Sequence, residues 1–174
     1  MGVGIEAYIK SRLNVQFLKT NSGKRGKGMP VVRNPQFYFR EGFCWNNILN
    51  PQARLLKVKL KQASVNDVGS MSLMTVETNI SNRYIIGLLN SNLIFDYYRV
   101  FINCTVNIQI NDLRQIPIMI PTIEDLHRLV SLVDKAVKIK KLALLENRAN
   151  FRLTAILKDI EKEIDMKIIQ LYRI

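Results

Sequence analysis

Histidine occurs once in this sequence, at His127, and cysteine only twice, at Cys44 and Cys104. Two isolated thiols with no imidazole close by give neither a disulfide framework nor a metal cage, so both cysteines read as small apolar side chains in a reducing compartment. No apolar run approaches the roughly 18 to 20 residues that a membrane span requires. The opening "MGVGIEAYIK" lacks the apolar stretch of a secretory signal. A soluble, intracellular protein without a membrane partner is expected. Signatures of catalysis are missing as well. Gly2 and Gly4 stand without the preceding strand that a dinucleotide or adenosylmethionine loop needs. Glu161 and Glu163 lie two apart on a helix and diverge, so they do not converge on one metal. The sequence carries no nuclease or hydrolase triad. No metal, no cofactor and no catalysis by this chain alone are expected.

Acidic residues are scarce too, 14 against 26 Lys plus Arg, for a net charge of +12. The imbalance is concentrated. Met1 to Lys61 holds twelve basic residues against only Glu6 and Glu41, a net +10, and the rest of the chain nets +2. Solubilising charge is more often mixed in sign, whereas cations gathered on one third of a chain suit a surface that faces polyphosphate. The 174 residues, 48% hydrophobic and 23% charged, suffice for one folded domain with a core, and the chain reads as one compact unit plus a helical extension.

Along the chain, "IEAYIKSRLNVQFL" is a short amphipathic piece, and "KTNSGKRGKGMP" at 19–30 is a basic loop without periodicity. That loop reads equally as a phosphate-tracking element or a solvated connection. "QFYFREGFCW" is rich in strand-favouring aromatics and predicts a buried strand or hairpin edge. Residues 55–76 read as a β-hairpin. Leu56, Val58 and Leu60 alternate with Lys57, Lys59 and Lys61, predicting a row of ammonium groups opposite a packed face, and Asp67 and Gly69 supply the turn. The lysine row serves either edge protection or nucleic-acid contact.

Beyond Asn79, "SNRYIIGLLNSNLIFDYYRVFIN" predicts one kinked helix, or two, interrupted around Asn90 to Asn92 and buried against a sheet. "TVNIQI" predicts a strand. Pro117 and Pro121 bracket "IMI", which reads as an edge strand leading directly into a helix that Thr122 and Asp125 cap. Ile123, Leu126, Val130, Val133 and Val137 form a coiled-coil-like seam, repeated after Asn147 by Leu153, Ile156, Ile160, Ile164 and Ile168. The expected class is α+β: a small mixed sheet with packed helices over 1–121, then a helical arm over 122–174 belonging to the same compact unit. "NPQF" at Asn34 to Phe37 is similar to the Asn-Pro-Pro-Tyr tetrad of amino-methyltransferases, but its third position departs and no cofactor motif accompanies it.

The succession "FYFREGFCWNNI", "VNDVGSMSLM", "YIIGLLNSNLIFDYYR", "IQINDLRQIPIMIPT" and "EKEIDMKIIQLYRI" resembles the TaqI-like C-terminal specificity domain of type IIG restriction enzymes and adenine-N6 DNA methyltransferases. The likeness runs from about Phe37 to the C-terminus. It implies a prokaryotic, cytoplasmic target-recognition module that holds double-stranded DNA opposite a methyltransferase cleft and reads base edges. It also implies that "NDLRQIPIMIPT" is architectural. S-adenosylmethionine would belong to a separate methyltransferase domain, covalently attached or a subunit. Members of that family usually carry such a domain ahead of the module. The chain is accordingly read as an excised domain, a split specificity subunit or a truncated product.

Lys24, Arg25, Lys27, Lys57, Lys59 and Lys61 are the expected phosphate donors, since they cluster in the loop and the hairpin. Arg33, Gln36, Arg40 and Gln62 are the expected base readers, because arginine suits guanine and glutamine suits adenine. For Arg33 and Arg40 the alternative is a cation lying over Phe37 or Tyr38. Two further functions compete. A basic RNA-binding or ribosome-associated protein would prefer single strands or structured RNA. A helical interaction module would bind a protein, or a second copy of itself, through the 122–171 helices.

Overall fold

The computed structural model describes residues 35–66, 70–76, 79–145 and 151–173. The chain falls into two compact units, Met1–Arg40 and Glu41–Ile174. In the first, Pro35–Phe37 form a single 3-10 turn, and Phe39 takes a left-handed backbone with φ 57°. Proline's fixed φ and this left-handed residue interrupt extended backbone. The aromatic strand expected from residue 36 therefore begins only at Gly42.

The second unit is built on a three-stranded antiparallel sheet. Strand β1 (Gly42–Asn46) lies between β2 (Lys59–Lys61) and β3 (Ser70–Leu73). Phe43 faces Leu60 on one side and Leu73 on the other. The hairpin expected over 55–76 is not formed, because its two strands both pair with β1 and not with each other. β1 carries the buried Phe43 and the fully buried Trp45, and the most apolar strand gains most by taking the centre. Gly42 permits this closeness: a Cβ there would stand 2.4 Å from the Leu73 carbonyl oxygen.

Helices α1 (Asn82–Leu89) and α2 (Asn92–Tyr97) are the expected pair, broken at 90–92. Ser81 caps the first, its hydroxyl accepting from the Arg83 N–H at 3.2 Å, and Ser91 caps the second by accepting from Ile94 N–H at 3.3 Å. Such caps satisfy backbone donors that have no partner within the helix. Tyr84, Ile85, Ile86, Gly87, Leu88 and Leu89 are all buried, so α1 has neighbours on nearly every side. It packs against β1 and β2 and against both long C-terminal helices.

After α2 the chain makes one π-helical turn, Tyr98–Ile102. "TVNIQI" is not a strand. Among the described residues its ladder contact is a bridge between Ile48 and Asn107, and a short helix, α3 (Ile110–Leu113), follows. The Asp112 carboxylate accepts from the Gln109 N–H at 2.8 Å, and this local bond closes a helical turn where the apolar alternation suggested a strand. The "IMI" segment is likewise no edge strand. Two tyrosine hydroxyls hold it instead: Tyr84 donates to the Met119 carbonyl at 2.6 Å, and Tyr172 donates to the Pro117 carbonyl. Prolines at both ends lack the N–H groups a ladder would use.

Helices α4 (Ile123–Leu145) and α5 (Phe151–Tyr172) pack together. Thr122 caps α4 as expected, its Oγ1 accepting from Asp125 N–H at 3.2 Å. The buried positions of α4 are Leu129, Leu132 and Val133, while Ile123 is 76% exposed. A helix that touches both α1 and α5 buries a wider stripe than a two-helix seam requires. Ile164 and Ile168 are the buried residues of α5. The base of the arm is thus packed into the body, and exposure grows toward Leu144 and Leu145. Gly87 lets the helices meet, since a Cβ there would lie 3.0 Å from Val133 Cγ2 and 3.5 Å from Ile164 Cγ2. The architecture is the expected α+β class with two long C-terminal helices. Among the described residues no helix is long and apolar enough to cross a membrane.

Candidate nucleic-acid interface

Strand β2 lies at an edge of the sheet and carries the lysine row. Its approach is shaped by Lys57, whose φ of 56° is left-handed, and by Asn90 at the end of α1. The Asn90 amide behaves as a detached peptide group. Its Oδ1 accepts from Val58 N–H at 2.9 Å and its Nδ2 donates to the Val58 carbonyl at 2.8 Å. With Leu56 and Val58 buried, Lys57 and Lys59 stand exposed. Neither is in an ion pair among the described residues.

Lys61 departs from the expected row. It is 4% exposed, so two ammonium groups face solvent here, not three. Lys61 lies opposite Gly42 in the ladder, where no partner side chain props it outward. Its Nζ donates to the Gln62 carbonyl at 3.4 Å. Burial lowers its pKa from the ordinary 10.5, with Cys44 acting in the opposite direction. A buried lysine is a weak candidate for phosphate contact, and Lys61 is withdrawn from the expected set. The exposed Gln62 remains available at the same edge.

Gln36 and Arg40 are exposed in the first unit. The Arg40 guanidinium lies 5.9 Å from the centre of the Phe37 ring, the cation–aromatic alternative anticipated for this residue. Lys24, Arg25, Lys27 and Arg33 lie outside the described residues.

Several acids of the second unit are engaged internally. Arg83 bridges Glu41 at 2.7 Å and Asp134, and these hydrogen bonds raise its pKa further. Glu163 pairs with Arg128 at 3.3 Å, and Asp165 accepts from the backbone and side chain of Asn92. Asp112 accepts from Gln109, Asn103 and Tyr98. Burial and the nearby Asp112 carboxylate both push the Tyr98 hydroxyl pKa upward. Arg54, exposed in the loop before β2, is also in no ion pair among the described residues.

His127 lines a shallow groove of about 440 Å³ along one face of α4 with Val130, Ser131, Asp134, Lys135 and Lys138. Among the described residues no group of three or more His, Cys, Asp or Glu side chains is placed to hold a metal ion. No protein-family model matches the chain. No curated protein matches it at a significant level.

Proposed function

We propose that this chain is a sequence-specific recognition module for double-stranded DNA, without catalysis of its own, working with a separate adenine-N6 methyltransferase or endonuclease domain or subunit. One observation carries the reading. Among the described residues, Glu41, Asp112, Asp134, Glu163 and Asp165 are engaged by internal hydrogen bonds or ion pairs, while Lys57 and Lys59 at the β2 edge and Arg54 in the loop before it are exposed and in no ion pair. In a chain of net charge +12, this leaves positive potential uncompensated where a rigid sheet presents it. The resemblance to TaqI-like specificity domains supports duplex DNA over other polyanions and motivates the methyltransferase partner.

Lys57 and Lys59 serve as phosphate contacts that set register, and Gln62 beside them offers directed hydrogen bonds to a base edge. Gln36 and Arg40 are further readers from the first unit. Selection from a pool of random duplexes at moderate salt, with a structured RNA competitor present, tests the proposal. One short duplex sequence should be enriched and should outcompete RNA. Enrichment of RNA, or of no nucleic acid, would overturn it.

A further inference from the structure

Residues 116–123 read "IPIMIPTI" and carry no charge. Ile118, Met119, Ile120 and Ile123 are 45%, 44%, 79% and 76% exposed. Both backbone groups of Met119 face inward: its carbonyl accepts from the Tyr84 hydroxyl at 2.6 Å, and its N–H donates to the Tyr172 oxygen at 3.4 Å. The Pro117 carbonyl accepts from the same Tyr172 hydroxyl. Residues 117 and 119 thus share the edge that the tyrosines hold. Ile116 and Ile120 precede prolines, which favours extended backbone, and there the intervening residues direct their N–H and C=O groups to the opposite edge.

The outward backbone groups of Ile118 and Ile120 have no hydrogen-bond partner among the described residues. This free edge has definite ends. Ile116 N–H donates to the Leu113 carbonyl at 3.3 Å, and the Thr122 carbonyl accepts from Leu126 N–H at 2.9 Å. Pro117 and Pro121 fall on the inner edge, so their missing donors subtract nothing from the outer one. The segment is no strand of the sheet in its own chain, yet an unpaired edge without charge is a template for another strand.

We propose that this edge pairs with the same edge of a second copy of the chain, antiparallel about a two-fold axis through Met119. Ile118 of each copy then faces Ile120 of the other and exchanges both backbone hydrogen bonds with it, while the two Met119 residues meet as a non-hydrogen-bonded pair. Two features select a second copy. The register is self-complementary, since the residues that need partners stand symmetrically around one that does not. The segment is also uncharged, so two chains of net charge +12 meet along it without like charges directly opposite, and a polyanion finds no cation in it. The exposed isoleucines supply the apolar burial that so short a ladder needs. The pairing is independent of the DNA-binding reading.

Sedimentation equilibrium of the full chain, without nucleic acid, tests the pairing. The chain should pass from monomer to dimer as its concentration rises. Ile120→Lys should raise the dimer dissociation constant by about tenfold, because each dimer carries the change twice. Ile120 is exposed, so folding is spared, and circular dichroism checks this. Met119→Cys should form a disulfide between copies at position 119 under mild oxidation, located by peptide mass mapping. The Cα atoms of such a pair stand about 4.5 Å apart, within disulfide reach. A monomer at every concentration would overturn the pairing and leave the edge to a strand of another protein. A dimer that Ile120→Lys leaves intact, with no cross-link at position 119, would overturn it too and place self-association on another surface. Neither result bears on DNA binding, which the duplex selection decides separately.

Discussion

The side-chain amide of Asn90 pairs with the backbone of Val58 as a second strand would, donating at 2.8 Å and accepting at 2.9 Å. This ties the approach to the lysine edge to the end of α1. Asn90→Ala removes both bonds and strands a half-buried peptide group. At about 1 kcal/mol per bond the loss is about 2 kcal/mol. Urea denaturation should show that decrease with an unchanged m-value. Asn90→Asp should cost at least as much, because a carboxylate accepts from Val58 N–H but repels its carbonyl.

Lys57 separates charge from fold. Its left-handed backbone costs a non-glycine residue about 1–2 kcal/mol, partly offset in glycine by a more flexible unfolded chain. Lys57→Gly should hold stability within about 1 kcal/mol of the parent. The same variant should reduce the slope of log affinity against log salt by about one. Thermal denaturation and a salt titration of DNA binding check the two halves.

The helices were legible because several independent signals coincide. Ser91 follows Asn90 at the break between α1 and α2, and Thr122 with Asp125 marks the start of α4 just where the apolar period begins. Strand partners were not legible. Alternation at Leu56 to Lys61 tells which side chains share a face but not which strand lies alongside, so it suggests a β2–β3 hairpin where both strands in fact flank β1. The burial of Lys61 is not legible either, because alternation alone does not contain what packs over the strand from elsewhere in the chain. "IQI" and "IMI" looked like strands because short apolar runs lack a period long enough to discriminate. Their conformation is set by distant polar groups, the Asp112 carboxylate and the Tyr84 and Tyr172 hydroxyls. The exposed Val100 and Phe101 sit in an otherwise buried apolar run, and only the π turn turns them outward.

Burial disfavours the charged form of Lys61 and lowers its pKa from the ordinary 10.5. Lys61→Met keeps the hydrocarbon and removes the charge, and should raise stability by about 1 kcal/mol near neutrality. With the folded-state pKa lowered, the unfolded chain holds more protons just below pH 10.5, so the parent's own stability rises through that window. The advantage of Lys61→Met should therefore shrink as pH approaches 10.5. Chemical denaturation from neutral to alkaline pH measures both.

Tyr84, Tyr98 and Tyr172 work in the opposite direction. Burial raises all three hydroxyl pKa values, with Tyr172 contributing at Tyr84 and Asp112 at Tyr98. Above the ordinary value of 10.0 the unfolded state loses these protons first, so stability falls as pH rises past it. Tyr98→Phe should flatten that alkaline decline while lowering neutral-pH stability by about 1 kcal/mol through the lost bond to Asp112. Denaturation midpoints across the alkaline range check the change of slope.

The central claim is that uncompensated cations at the β2 edge hold duplex DNA. Affinity of the full chain for the selected duplex, measured against salt, tests it most directly when Lys57→Gln/Lys59→Gln is compared with the parent. The parent should lose affinity steeply with salt, and the double variant should bind more weakly with a slope reduced by about two. A parent that binds independently of salt, or a double variant with unchanged affinity and slope, would contradict the account.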